Sequence, residues 1–159
     1  MISVEEARAY ILKHFQPLEA ERVDLLSALD RVLAEDIISD LNVPPFNNSA
    51  MDGYAVRAQD IASASREQPV TLRVVGNIAA GYVAQNRVEP GTAMRIMTGA
   101  PMPEGADAVV RFEETSEGVN AKETRKDTKG RESVDILKAM QRGDNTRAAG
   151  EDMRAGDIV

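Results

Sequence analysis

The chain has 159 residues, a formal net charge of −7, one histidine and no cysteine. That length allows a buried core in one or two compact domains, and the acidic balance argues against a general nucleic-acid binder. Without thiols there is no disulfide, thiolate metal site or cysteine nucleophile, and with one histidine a structural zinc site is excluded too. No apolar run approaches the roughly 20 residues of a membrane span. The N-terminus, Met1-Ile2-Ser3-Val4-Glu5-Glu6, has neither the basic nor the apolar region of a signal peptide. A cytoplasmic protein with no membrane contact is the expectation.

In chain order, Ser3 is a good N-cap, followed by Glu5 and Glu6 where carboxylates suit the helix dipole. Val4, Ala7, Ile11 and Phe15 recur at helical spacing, with Leu12 broadening the stripe, and predict a helix that ends before Pro17. His14 lies beside that stripe and is assigned no role. Residues 21–25 read as a short strand. Leu25, Leu29, Val32 and Leu33 predict a second helix, capped by Asp24 or Ser27. Asp36-Ile37-Ile38 extends towards Leu41-Asn42-Val43 and a double proline.

The stretch Pro44-Pro45-Phe46-Asn47-Asn48-Ser49-Ala50-Met51-Asp52-Gly53-Tyr54-Ala55-Val56 is the densest in the chain. The prolines stop any preceding regular element, and Asn47, Asn48 and Ser49 favour turns through local backbone bonds. Asp52-Gly53 then enters a strand at Tyr54. Asp-Gly before a strand is most often a plain turn. Phe46 and Met51, apolar within a polar loop, predict a loop pinned to a core, able to hold a carboxylate in place.

Residues 60–65 read as a surface loop. Strands are predicted at 70–75, ending at Gly76, at 92–97, at 108–115 and at 133–137, with a weaker one at 118–121. Residues 78–82 form a glycine-broken piece. The basic cluster Lys122, Arg125, Lys126, Lys129 and Arg131 is interspersed with acids and reads as a solvated hairpin tip. Short strands punctuated by Gly and Pro predict a mainly β fold, a β-rich domain of short bent strands behind an N-terminal helical segment.

Two further segments could carry chemistry. In Thr98-Gly99-Ala100-Pro101, glycine allows a sharp turn whose amides could form an anion nest, with the Thr98 hydroxyl as a further donor. The alternative is a strand-ending turn satisfied internally. In Gly150-Glu151-Asp152, adjacent carboxylates could help hold Mg²⁺ or could pair with Arg142, Arg147 and Arg154. Glu113-Glu114 would face opposite sides of a strand and share no metal. There is no Walker loop, dinucleotide fingerprint, zinc-protease motif or triad histidine.

Asn48-Ser49-Ala50-Met51-Asp52-Gly53-Tyr54-Ala55 resembles the signature loop of the molybdopterin molybdenumtransferases, the family of MoeA and the gephyrin E domain. Arg95-Ile96-Met97-Thr98-Gly99-Ala100-Pro101 and Gly150-Glu151-Asp152 follow in the family's order. The resemblance runs from about Val4 to Val159 and corresponds to the family's N-terminal region. It implies residues 1–40 as helix and first part of an elongated linking domain, 41–145 as a β-rich domain, and 146–159 as the return to the linking domain. The catalytic domain that binds molybdopterin and supplies the main Mg²⁺ ligands would follow.

The parent reaction implied is insertion of molybdenum from molybdate into adenylylated molybdopterin, with Mg²⁺ and release of AMP. This chain alone would be inactive. The family's homodimer builds its cleft from two subunits, and an upstream molybdopterin adenylyltransferase is an expected partner. By that analogy Asp52, Thr98 and Asp152 are catalytic. Asn48, Ser49, Gly99 and Glu151 bind cofactor, and Asp52 or Asp152 is a possible metal ligand. The rival expectation is a non-catalytic module for dimerisation or partner docking.

Overall fold

The structure, a computed structural model, describes residues 2–16, 18–119 and 133–159. The chain divides into two compact units, Met1–Ile37 and Ile38–Val159. In the first, helix α1 spans Val4–Lys13. Ser3 and Glu6 form a reciprocal capping box: the Glu6 N–H donates to Ser3 Oγ at 3.1 Å and the Ser3 N–H to the Glu6 carboxylate at 2.9 Å. The bond from the Ser3 backbone, foremost, holds the Glu6 carboxyl below its ordinary range. The expected helix start and stop are therefore present.

The strand expected at 21–25 and the helix expected through Leu33 are not. That stretch forms one 3₁₀ turn, Leu25–Ser27, and Asp24 makes no side-chain cap bond. Asp30 takes a left-handed conformation at φ 64°, which interrupts a right-handed helix. Leu25, Leu29 and Val32 are each more than four-fifths exposed, so no packing offsets the cost of nucleating a short helix.

The second unit is built on a five-stranded sheet and a two-stranded ribbon. In chain order the strands are β1 (Asn48–Ser49), β2 (Gly53–Val56), β3 (Val70–Ile78), β4 (Thr92–Ile96), β5 (Ala108–Arg111), β6 (Ser133–Ile136) and β7 (Thr146–Arg147). The sheet order is β5-β2-β4-β3-β6, and β1 pairs antiparallel with β7. All ladders of the sheet are antiparallel except β3 with β4, which is parallel. The mainly β fold is thus as expected.

Both faces of the sheet are covered, which explains why β2, β4 and β5 carry apolar residues on both faces instead of alternating with polar ones. Tyr54, Val56, Ala93, Ala108 and Val110 pack into one core with Leu72, Val134 and Ile136. Ala55, Met94, Ile96 and Val109 pack into the other with Ile78 and Val88. Leu72 and Ile78 stand six residues apart on one strand yet join opposite cores. One extra residue on β3 between Val74 and Asn77 shifts the register and flips the later side chains to the other face. So β3 continues through Gly76 instead of ending there.

Several local expectations are corrected. Residues 58–61 form a 3₁₀ turn, and Ile61 and Ala64 are buried, because apolar residues in the expected surface loop plug one core. The strand at 108–115 stops at Arg111; Phe112–Glu114 is a 3₁₀ turn, so Glu113 and Glu114 are not strand neighbours. Gly118 and Val119 close a short helix, α2 (Ser116–Val119), not a strand. The rest of that expected strand and the basic cluster at Lys122, Arg125, Lys126, Lys129 and Arg131 lie outside the described residues.

Candidate functional site

The Pro44–Val56 stretch is held chiefly by its main chain. The Ser49 N–H donates to the Ala100 carbonyl at 3.0 Å, and the Gly99 N–H to the Ser49 carbonyl at 2.8 Å. The Ala50 N–H bonds the Asn145 carbonyl at 2.9 Å, and the Phe112 N–H bonds that of Asp52 at 3.0 Å. The Ser49 hydroxyl turns back on its own loop, donating to the Met51 carbonyl at 2.5 Å. The expected pins, Phe46 and Met51, are instead 44% and 41% exposed, while Asn48, Ser49 and Pro44 are buried. Backbone bonds and small polar residues do the pinning.

Asp52 and Thr98, 46 residues apart, meet directly. The Thr98 N–H donates to Asp52 Oδ1 at 2.7 Å and the Thr98 hydroxyl to the same oxygen at 2.8 Å. These two bonds, the backbone one foremost, outweigh desolvation and hold the Asp52 carboxyl below its ordinary range, with the nearby Arg95 charge adding to the effect. Asp52 Oδ2 takes part in neither bond, and the residue is exposed. Of the two readings of residues 98–100, the internally bonded turn is the one present, and its amides form no outward nest. The Thr98 and Gly99 amides go to Asp52 and Ser49, and the Ala100 N–H bonds the Met97 carbonyl at 3.0 Å. Gly99 permits this turn by adopting φ 80°.

Asp152 and Glu151 occupy a second turn. The Asp152 carboxylate pairs with Arg147, which stands opposite Asn48 in the β1–β7 ribbon. Glu151 accepts from the Ala148 N–H at 2.9 Å, and Asn47 Oδ1 from the Ala149 N–H at 2.8 Å. The Gly150 N–H reaches the Pro44 carbonyl at 2.9 Å and the Asp152 N–H that of Val43 at 2.9 Å. No hydrogen bond or ion pair joins Asp52 to Asp152; both turns instead flank β1. Asn48 is buried beside Pro101, and its Oδ1 has no hydrogen-bond partner.

With that geometry in view, residues 2–159 match the family described as the MoeA N-terminal region (domain I and II). The chain belongs to that family. It is 43% identical over 159 residues to the molybdopterin molybdenumtransferase of Bacillus subtilis, covering 99% of this chain and 35% of that protein. It is 40% identical over 159 residues to molybdopterin molybdenumtransferase 2 of Mycobacterium tuberculosis, covering 100% and 36%. The crystal structure of a molybdopterin biosynthesis moeA protein from Pyrococcus horikoshii superposes with a TM-score of 0.74 at 35% identity, over 87% of this chain and 34% of that one. The chain therefore spans about a third of the length of these relatives.

Within this MoeA N-terminal region, magnesium would need oxygen ligands, few of them protein carboxylates if it keeps its waters. Asp52 offers one oxygen outside its bonds with Thr98, and Asp152 is already paired with Arg147. Among the described residues no group of three or more His, Cys, Asp or Glu side chains converges. These residues do not by themselves make a magnesium site. Two partners escaped the sequence reading. Arg95 lies opposite Tyr54, its guanidinium 5.5 Å from the centre of the Phe112 ring. Asn145, left-handed at φ 55°, ties its amide to the Val109 carbonyl at 2.8 Å. The Arg95 charge stood inside a quoted motif; Asn145 carried no local signal beyond being a residue that tolerates αL.

Proposed function

We propose that this chain forms one wall of the active site of a molybdopterin molybdenumtransferase. The whole protein would insert molybdenum from molybdate into adenylylated molybdopterin and release AMP. The single observation that supports this reading is the Asp52–Thr98 pair: an ionised, doubly bonded carboxylate on an exposed residue, its second oxygen outside both bonds, held on a backbone-stitched loop. A carboxylate so fixed can accept hydrogen bonds from a substrate's N–H edge or orient a water. Thr98 then acts by positioning Asp52, since its own donors are both committed. Arg147 beside Asp152 supplies a cation that offsets the repulsion between a carboxylate and an oxyanion such as molybdate.

The exposed faces of Gly99, Glu151 and the turns around Asn48 and Ser49 would border the same cleft. The remaining ligands, magnesium's included, would come from further protein, with a second copy of the chain completing the site. Asp52→Asn in a full-length parent enzyme should lower molybdate-dependent AMP release by roughly 100-fold or more while lowering the melting temperature only slightly, since the amide oxygen can still accept both Thr98 bonds. Retained turnover, or an equal loss of turnover and stability, would give the lead to the second reading, a docking module. That reading draws on the apolar side chains exposed along Met1–Ile37, including Val4, Phe15 and Leu18.

A further inference from the structure

β3 and β4 run parallel, so the loops that follow them leave the same end of the sheet. β4 leads into the Thr98 turn, and β2 begins at this end too, opposite Ile96, just after Asp52. The Met97 N–H donates to the Ile78 carbonyl at 3.1 Å, which ties the two exits together. The loop following β3 then encloses a groove of about 400 Å³ with the last turn of that strand, a volume in the range of small-molecule sites.

The groove's lining is chemically selective. Met94 and Gly76 belong to its sheet side, Tyr82 and Val83 to its loop side, and the polar groups are the amides of Asn77, Gln85 and Asn86. No carboxylate, lysine, arginine or histidine lines it, in a chain of net charge −7. A phosphate or molybdate oxyanion would find no counter-charge there. Asn86 donates through Nδ2 to the Val75 carbonyl at 3.2 Å, which fixes that side chain and leaves its oxygen as an acceptor. Among the described residues, the side chains of Asn77 and Gln85 have no hydrogen-bond partner. Each amide offers two donors and an acceptor. Tyr82 is 71% exposed at the rim, its phenol ring uncovered.

Uncommitted amides beside an uncovered aromatic ring and a thioether suit a flat, neutral heterocycle with donors and acceptors alternating along its edge. We propose that this groove, toward the same end of the sheet as the Asp52–Thr98 pair, is a subsite for such a ring, with Tyr82 stacking on its face and Asn77 and Gln85 reading its edge. The inference rests on the proposed function, whose substrate carries two rings of this chemistry, a pterin and an adenine.

The chain as it stands is titrated with a simple pterin and, separately, with AMP, while amide and side-chain NMR shifts are followed. Absence of tryptophan leaves the pterin's own fluorescence as an independent binding signal. Saturable shifts at Asn77, Tyr82 and Gln85 with either ligand support the subsite, and which ligand produces them names the ring. Tyr82→Ala should then weaken binding about tenfold, as loss of one stacking platform does, and Gln85→Leu should weaken it further with melting unchanged. Three results overturn the subsite: no shift in the groove at millimolar ligand, shifts confined to Thr98 and Gly99, or equal affinity in both variants. All three leave the Asp52 reading standing, and AMP release by Asp52→Asn judges that reading independently.

Discussion

Thr98 places two donors on one oxygen of Asp52, and the consequence is a carboxylate that stays ionised further into acid than an ordinary one. Because the folded carboxyl titrates below the unfolded range of about 3.9, its contribution to stability is full above that range. It is lost as pH falls through the depressed folded value. Thr98→Val removes the hydroxyl bond and keeps the amide bond. The Asp52 carboxyl should therefore titrate higher than in the parent, part of the way back to the ordinary range, when followed by carboxyl-carbon NMR. An unchanged titration would mean that the hydroxyl does not hold the carboxylate. Both residues stood out in the sequence, Asp52 beside its glycine and Thr98 in its turn. That Thr98 spends its donors on Asp52 did not, because nothing local links residues 46 positions apart.

At the scale of elements, β2 is the strand on which the site depends, since Asp52 leads directly into it and both its neighbours are antiparallel. Gly53 is there for space. A Cβ at that position would lie 1.9 Å from the Val110 carbonyl oxygen, and backbone cannot withdraw as a side chain can. Gly53→Ala should cost about 3 kcal/mol or more, read as a lower urea midpoint at unchanged slope. A parental midpoint would show that β5 is free to move away. The strands were legible because short, β-branched-rich stretches between Gly and Pro leave few alternatives. Their faces were not. Burial on both sides erases the alternation that would assign them, and the inserted residue in β3 changes sides where composition gives no sign.

At the scale of the molecule, the two units differ in kind. The body from Ile38 to Val159 holds every buried hydrophobic side chain among the described residues, whereas Leu18, Leu26 and Val32 in the other unit are each more than 90% exposed. Surfaces so apolar favour association. Sedimentation equilibrium should show a concentration-dependent monomer–dimer equilibrium, and a monomer across the whole range would remove self-association from the proposed function. The apolar periodicity of residues 25–33 misled the helix prediction for this reason: it records a surface to be covered, and a helix of that length needs the cover in place before it forms.

The ends of the larger unit carry a consequence of their own. Ile38 bridges Ile158, the Ser39 N–H reaches the Asp157 carbonyl at 2.9 Å, and the Gly156 N–H returns to the Ser39 carbonyl at 2.7 Å. The first and last residues of this body therefore lie side by side in one antiparallel pair, in the same way that the two arms of a hairpin do. To a protein carrying it, a body of some 120 residues occupies no more of the path than a tight loop would. Ends so close together are the geometry that insertion into a surface turn requires, and on that ground this body would tolerate being set into one with its Asp52–Thr98 contact intact.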